Sequence, residues 1–239
     1  MLRLEINRLI SGIKGKRYLR KGLELGRAGK AEEAIRLLGK AVDDGETDAE
    51  ILNTRAWLLV SVGRNEEALM DISRAISLDP LSSDQFINRG HILRGLGRYE
   101  EAASDYIRGL SLSPADVDGW SVLAGVLNRL ERYDDALSAS DRAIAIDASN
   151  ETAWYHKGNA FFELGRFEEA LTAYSQAPGI YPNDRYPWTD RAVRLKVEGK
   201  EEEARKAREM AALIAVKNLN IRRCEKEIEK RKKGGRNAS

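Results

Sequence analysis

The sequence predicts an all-α fold in which six helical hairpins follow one another as a solenoid. Three observations predict it: a motif that recurs every 34 residues, a glycine that closes the first helix in five of six periods, and small residues at fixed places where helices meet. The motif has the forms GKAEEA, GRNEEA, GRYEEA, ERYDDA, GRFEEA and GKEEEA, beginning at residues 29, 63, 97, 131, 165 and 199. The predicted repeats are 15–48, 49–82, 83–116, 117–150, 151–184 and 185–218.

Each repeat is expected to contain two helices joined by a tight turn. The first helix ends before the glycine, because a helix end favours a residue in the left-handed conformation. Glu131 replaces that glycine in the fourth repeat, and we expect a modest cost there. The second helix begins at an acidic pair such as Glu100 and Glu101, since carboxylates stabilise the partly positive N-terminal end of a helix.

Small residues recur where two helices must approach closely. The eighth and twenty-seventh positions of the repeats hold only alanine or glycine, and the twentieth is always alanine. A bulkier side chain there would force the helices apart, at a cost of about 1–3 kcal/mol. The alanines at the twentieth position are Ala34, Ala68, Ala102, Ala136, Ala170 and Ala204.

The fifth repeat shows the whole pattern of large, small and turn-forming residues. These are Trp154, Gly158, Phe161, Gly165, Ala170, Tyr174, Ala177 and Pro182. The pattern resembles the signature of the tetratricopeptide repeat (TPR) family, and the resemblance covers residues 15 to about 214. It implies a right-handed superhelix of antiparallel helix pairs, with a concave groove lined by the first helix of each pair.

The two ends of the chain lie outside the repeats. Residues 1–14 are predicted to form a separate N-terminal capping helix, and residues 219–239 a basic helix followed by a disordered tail. Net charge is +7 over residues 1–30 and +6 over residues 215–239, so the chain's total of +2 leaves −11 for the middle. Such asymmetry can mark contact with nucleic acid, a membrane or an acidic partner, and solvated helix ends would produce the same pattern.

Two further features depart from the repeat pattern. Pro178 and Gly179 fall inside the second helix of the fifth repeat, so that helix is predicted to end near Ala177. The seventh position is basic in five repeats, with Arg55 and Arg89 as examples. We expect these side chains to pack their stems between helices and to reach solvent or acidic neighbours with their charged ends. The alternative is a cationic stripe for an acidic ligand.

The sequence predicts neither an enzyme nor a bound cofactor or metal. Its two histidines, His91 and His156, fall in different repeats, and Cys224 is the only cysteine. A glycine-rich phosphate loop, a paired-histidine helix motif and a Cys-x-x-Cys motif are all absent from the sequence. No apolar run has the length of a membrane-spanning helix, and the N-terminal stretch lacks the core of a signal peptide. A cytoplasmic location without membrane insertion is therefore expected.

The predicted function is that of an interaction scaffold or adaptor that binds a peptide or protein segment in the concave groove. The resemblance implies that ligand-facing residues occupy positions two, five, six, nine, twelve and thirteen of the first helices. Aromatic rings there can anchor apolar side chains while amides bond an extended backbone. The predicted partner-binding residues are Asn53, Trp57, Asn88, His91, Arg94, Asn128, Arg129, Tyr155, His156, Asn159, Phe162 and Tyr186.

Two other functions stay open at this point. The basic termini could bind nucleic acid or another acidic surface, which would make binding steeply salt-dependent. The absence of an aromatic platform in the C-terminal segment makes nucleic acid the weaker of the two partners. A self-assembling structural module is the other alternative, and a strictly monomeric protein would exclude it.

Overall fold

The computed structural model describes residues 2–45, 48–177, 192, 193, 195, 196 and 199–236, and this part contains helices and turns without a strand. The chain divides into an N-terminal unit, Met1–Pro114, and a C-terminal unit, Ala115–Ser239. The N-terminal unit contains α1 (Leu2–Arg27), α2 (Ala31–Asp43), α3 (Ala49–Ser61), α4 (Asn65–Leu78), α5 (Ser83–Gly95) and α6 (Tyr99–Leu112). The C-terminal unit contains α7 (Val117–Arg129), α8 (Tyr133–Ile146), α9 (Glu151–Glu163), α10 (Phe167–Ser175) and α11 (Glu201–Arg236). Within each unit, consecutive helices pack as hairpins, which confirms the predicted all-α fold.

The turn between the two helices of a hairpin has the same geometry throughout. The five motif glycines have φ between +69° and +80°, as predicted for a helix end in the left-handed conformation. In all six turns an amide donates to the carbonyl five residues back at 2.9 Å, as Arg64 does to Leu59. Glu131 takes the same conformation with φ 60°, and a side chain carries a steric penalty there.

Small residues make close helix contact within each hairpin, as predicted. All six alanines at the twentieth position are 0% exposed. At the eighth position, an added Cβ on Gly90 would lie 2.9 Å from the Tyr106 ring, and one on Gly158 would lie 2.5 Å from the Tyr174 ring. Both tyrosines are completely buried, so each glycine makes room for a large ring on the facing helix.

Two of the basic residues at the seventh position, Arg55 and Arg89, pair with buried aspartates. Arg55 makes two hydrogen bonds to Asp71, at 2.6 and 2.5 Å, and Arg89 makes two to Asp105, at 2.6 and 2.7 Å. Both aspartate side chains are only 8% exposed. The predicted packing of these residues within hairpins is therefore confirmed for the two arginines, and neither contributes to a cationic stripe.

Both ends of the chain differ from the prediction. α1 runs without a break from Leu2 to Arg27, so the boundary predicted between residues 14 and 15 lies inside one helix, and no proline interrupts this stretch. α11 continues to Arg236, which corrects the disorder predicted up to that residue, while residues 237–239 lie outside the described residues. Arg231 explains part of this order, because its guanidinium donates to the Gly165 carbonyl at 3.3 Å and lies over the Phe167 ring.

The predicted interruption in the fifth repeat is also found. α10 ends at Ser175, and Ala177 is no longer helical, within two residues of the predicted end. Pro178 and Gly179 themselves lie outside the described residues.

Candidate interaction surface

Three predicted binding residues of α3 and α5 lie on one surface of the N-terminal unit. Trp57 on α3 is 68% exposed. One turn earlier, Asn53 accepts a hydrogen bond from the Asn88 side-chain amide of α5 at 3.0 Å. The bond ties α3 to α5 and places the predicted residues Asn53, Trp57 and Asn88 on one surface.

His91 and Arg94 extend this surface along α5. The exposed His91 ring lies edge-on to Tyr106, with Nδ1 2.9 Å from the tyrosine hydroxyl. Burial raises the pKa of Tyr106, and a hydrogen bond with Arg94 opposes that shift. Because a guanidinium can only donate, the Tyr106 hydroxyl is the acceptor of the Arg94 hydrogen bond. The tautomer of His91 determines whether Nδ1 or the hydroxyl donates in the bond between them.

Two apolar residues on this face were missed by the sequence analysis. Leu23 on α1 and Val60 on α3 are each 40% exposed. They occupy the ninth and twelfth positions of their repeats, so repeat position was the signal that could have found them. An added Cβ on Gly26 would lie 2.9 Å from Leu58, so α1 and α3 approach closely beside Leu23. We call the set Leu23, Asn53, Trp57, Val60, Asn88, His91 and Arg94 the N-terminal face.

The corresponding residues of the C-terminal unit are more tightly packed. The Asn128 side-chain amide donates to the His156 carbonyl at 2.8 Å, and the His156 ring fills the space beside Gly125. Phe162 is half-buried and packs on Phe167 with ring centroids 5.8 Å apart. Among the described binding residues predicted in this unit, Arg129 is the exposed one.

Tyr155 belongs to the core rather than to an exposed face. It is 4% exposed, and its ring centroid lies 6.3 Å from that of Tyr174. Phe161, Ile221 and Cys224 belong to the same buried cluster. Tyr155 is therefore not available to a ligand at the surface. Tyr186, the last of the predicted binding residues, lies outside the described residues.

Asn159 is covered by the distal half of α11, which packs on α9 and α10. The Tyr174 hydroxyl donates to Asn159 Oδ1 at 2.7 Å, and the Asn220 amide donates to the Tyr174 oxygen at 3.1 Å. Lys217 is completely buried and donates to the Ala177 carbonyl at 2.8 Å. Burial lowers the pKa of Lys217 to about 8 and raises the pKa of the fully buried Cys224 thiol to about 11.

Neither a metal-ligand cluster nor a membrane-spanning helix is found among the described residues. Within this part of the chain, histidine, cysteine and acidic side chains nowhere gather in a group of three that could hold a metal ion. Among the described helices, each is too short or too polar to cross a membrane.

Comparison with known proteins identifies the repeats. A family model described as "Tetratricopeptide repeat" matches residues 19–83 and 87–151, and a second model with the same description matches 127–189. No curated protein sequence matches the chain.

Solved structures of MamA are similar in fold. A crystal structure of MamA protein is 20% identical with a TM-score of 0.66, over 70% of this chain and 92% of that chain. The MamA 41-end structure from Desulfovibrio magneticus RS-1 is also 20% identical, with a TM-score of 0.64 over 69% and 93% of the two chains. At this identity the likeness concerns the fold alone. Since the first family model alone matches more than half of the sequence, the chain belongs to the tetratricopeptide repeat family.

Proposed function

We propose that the protein is a scaffold that binds a segment of a partner protein on the N-terminal face. Membership of the tetratricopeptide repeat family supports a role in protein–protein interaction. The observation that carries the finer proposal is Trp57, a tryptophan that is 68% exposed and belongs to the same face as two other exposed apolar residues, Leu23 and Val60. Tryptophan is enriched among the residues that dominate binding energy, because one ring brings a large contact area.

The two asparagines beside Trp57 suit the backbone of such a segment. In their mutual hydrogen bond, Asn88 donates one amide hydrogen and Asn53 accepts with its oxygen. The bond leaves the Asn53 amide nitrogen as a donor and the Asn88 oxygen as an acceptor. One donor beside one acceptor complements the carbonyl and N–H groups of an extended chain.

A pair of single substitutions tests the proposal. Trp57 lies on α3, and Met70 on α4 is almost equally exposed, at 68% and 66%. Substitution of either exposed residue should leave stability nearly unchanged. Full-length wild type, W57A and M70A are each immobilised and exposed to lysate of the source cell, and the captured proteins are quantified.

We expect a protein that is captured by wild type and M70A but lost with W57A. Circular dichroism and thermal unfolding of the three proteins control for folding. Equal capture by W57A and wild type would contradict the proposal, and so would equal loss with both variants.

A further inference from the structure

The N-terminal face lies in a strip of the unit that contains no acidic side chain. The strip consists of the fifth, sixth, ninth, twelfth and thirteenth positions of α1, α3 and α5, and it does not include the second position, which holds Lys16, Glu50 and Asp84. The fifteen residues of the strip include no Asp or Glu, but they include Arg20, Arg27 and Arg94 as well as His91. The three arginines are exposed. This surface is therefore cationic, with Arg20 and Arg27 in the basic N-terminal segment and Arg94 in the acidic middle of the chain.

The arginines of this strip form weaker ion pairs with Asp and Glu side chains, or none, compared with four other arginines of the same unit. Arg55 and Arg89 each contact a buried aspartate, and Arg64 and Arg98 each make two hydrogen bonds to a glutamate three residues on. Arg20 reaches its nearest glutamate, Glu24, only at 3.9 Å, with both side chains largely exposed. Within the described residues, Arg27 and Arg94 form no ion pair with a carboxylate. A ligand carboxylate could therefore bind Arg27 and Arg94 without displacing a carboxylate of the protein itself.

The charges lie on both sides of an apolar centre. Leu23, Trp57 and Val60 form that centre on α1 and α3. Arg20 and Arg27 lie about one turn before and after Leu23 on the same helix face. On the other side, His91 and Arg94 lie on α5, which Asn88 joins to α3. Neighbouring helix axes are about 8–10 Å apart, so a chain crossing all three helices spans about 20 Å, or about six extended residues.

We infer that the ligand of the N-terminal face is an acidic protein segment, with a large apolar side chain flanked on both sides by Asp or Glu. The apolar side chain packs on Trp57, and the flanking carboxylates pair with the arginines of α1 and α5. This inference rests on the proposed function, because it names the chemical class of the segment that binds there. Exposed charges of this kind act on association rate and specificity, so binding weakens as salt is added.

The experiment is a selection from a library of random nine-residue peptides on the immobilised full-length protein. We expect the selected peptides to carry Asp or Glu on both sides of a Leu, Phe, Trp or similar residue. Binding of a selected peptide, measured by fluorescence anisotropy, should weaken about ten-fold or more in the R27E/R94E variant. The matched control is R74E, which reverses an exposed arginine on α4 outside the strip.

The possible results separate this inference from the proposed function. One result would overturn the inference and leave the proposed function standing: the selected peptides lack acidic residues, bind more weakly to W57A, and bind R27E/R94E as tightly as wild type. Peptides that bind equally to wild type and W57A would overturn both. An equal loss with R74E would overturn the inference by showing general charge attraction. Displacement of the peptide by a single-stranded oligonucleotide at equal concentration would overturn the assignment to a protein ligand.

Discussion

The third hairpin should tolerate replacement of its buried ion pair by the residues that the fourth hairpin has at the same places. Arg89 and Asp105 occupy positions seven and twenty-three of the third repeat, where the fourth repeat has Leu123 and Ala139. Both fourth-repeat residues are buried, with exposures of 2% and 3%. The fourth hairpin therefore packs apolar side chains at these two positions, and the double variant R89L/D105A places the same side chains in the third hairpin.

The expected magnitudes follow from burial. The Asp105 side chain is 8% exposed and the Arg89 side chain 26%. R89L leaves a carboxylate unpaired in a buried site, so we expect a loss of about 3–5 kcal/mol in the free energy of unfolding. D105A leaves a guanidinium that still reaches solvent, so we expect a smaller loss of about 1–3 kcal/mol. The double variant removes both charges, and we expect it to lie within about 1 kcal/mol of wild type.

Urea unfolding of the wild type, both single variants and the double variant, followed by circular dichroism, measures the cycle. The coupling between the two positions should be at least about 3 kcal/mol. The pair Arg98–Glu101 in the same hairpin is exposed, and its double alanine variant should unfold like wild type because solvent screens such pairs. A double variant R89L/D105A that is destabilised by the sum of the single losses would falsify the argument.

The turn and the C-terminal helix give two further predictions. E131G should raise the free energy of unfolding by about 1 kcal/mol, and with it the melting temperature, because it removes a side chain from a position with φ 60°. G97A, which adds a side chain at φ +75°, should lower the melting temperature. A lower melting temperature for E131G would contradict this reasoning. Burial lowers the pKa of Lys217 to about 8, so between pH 8 and 9 the unfolded chain binds a proton that the folded Lys217 has lost, and this residue should add about 1 kcal/mol to stability across that range. Thermal unfolding should therefore show stability changing by about 1 kcal/mol more favourably in wild type than in K217M, and an equal change in both would exclude Lys217 as its source. The comparison with K217M is needed because burial raises the pKa of Cys224, which acts in the opposite direction over the same range.

Repetition explains why the hairpins could be predicted from the sequence. Each turn places its left-handed residue at the same position, and each hairpin buries the alanine five residues later. These contacts join residues close in the chain, so the same local pattern is seen six times. The residue Glu131 shows how strong this repetition is, because the turn keeps its conformation without the glycine.

The packing of α11 could not be predicted in this way. Asn220 contacts Asn159 and Tyr174 across 61 and 46 residues, and nothing periodic links these positions. The same contacts explain why the fifth position was unreliable for finding exposed residues. Asn53 at that position is on the surface of α3, whereas Tyr155 lies in the cluster that Ile221 and Cys224 complete. Repeat position thus predicts which way a side chain leaves its helix, but not whether another helix covers it.

The same packing determines how a role for the basic C-terminal end must be tested. Truncation of residues 215–239 would remove charge, but it would also remove the buried Lys217, Ile221 and Cys224 and so expose the rings beneath them. A loss of binding after truncation would then have two causes. Arg222, Arg223 and Lys226 are exposed on the same helix, so their reversal to glutamate changes the charge and keeps the packing. Salt-sensitive binding that survives W57A but disappears in that triple variant would assign it to α11 rather than to the N-terminal face.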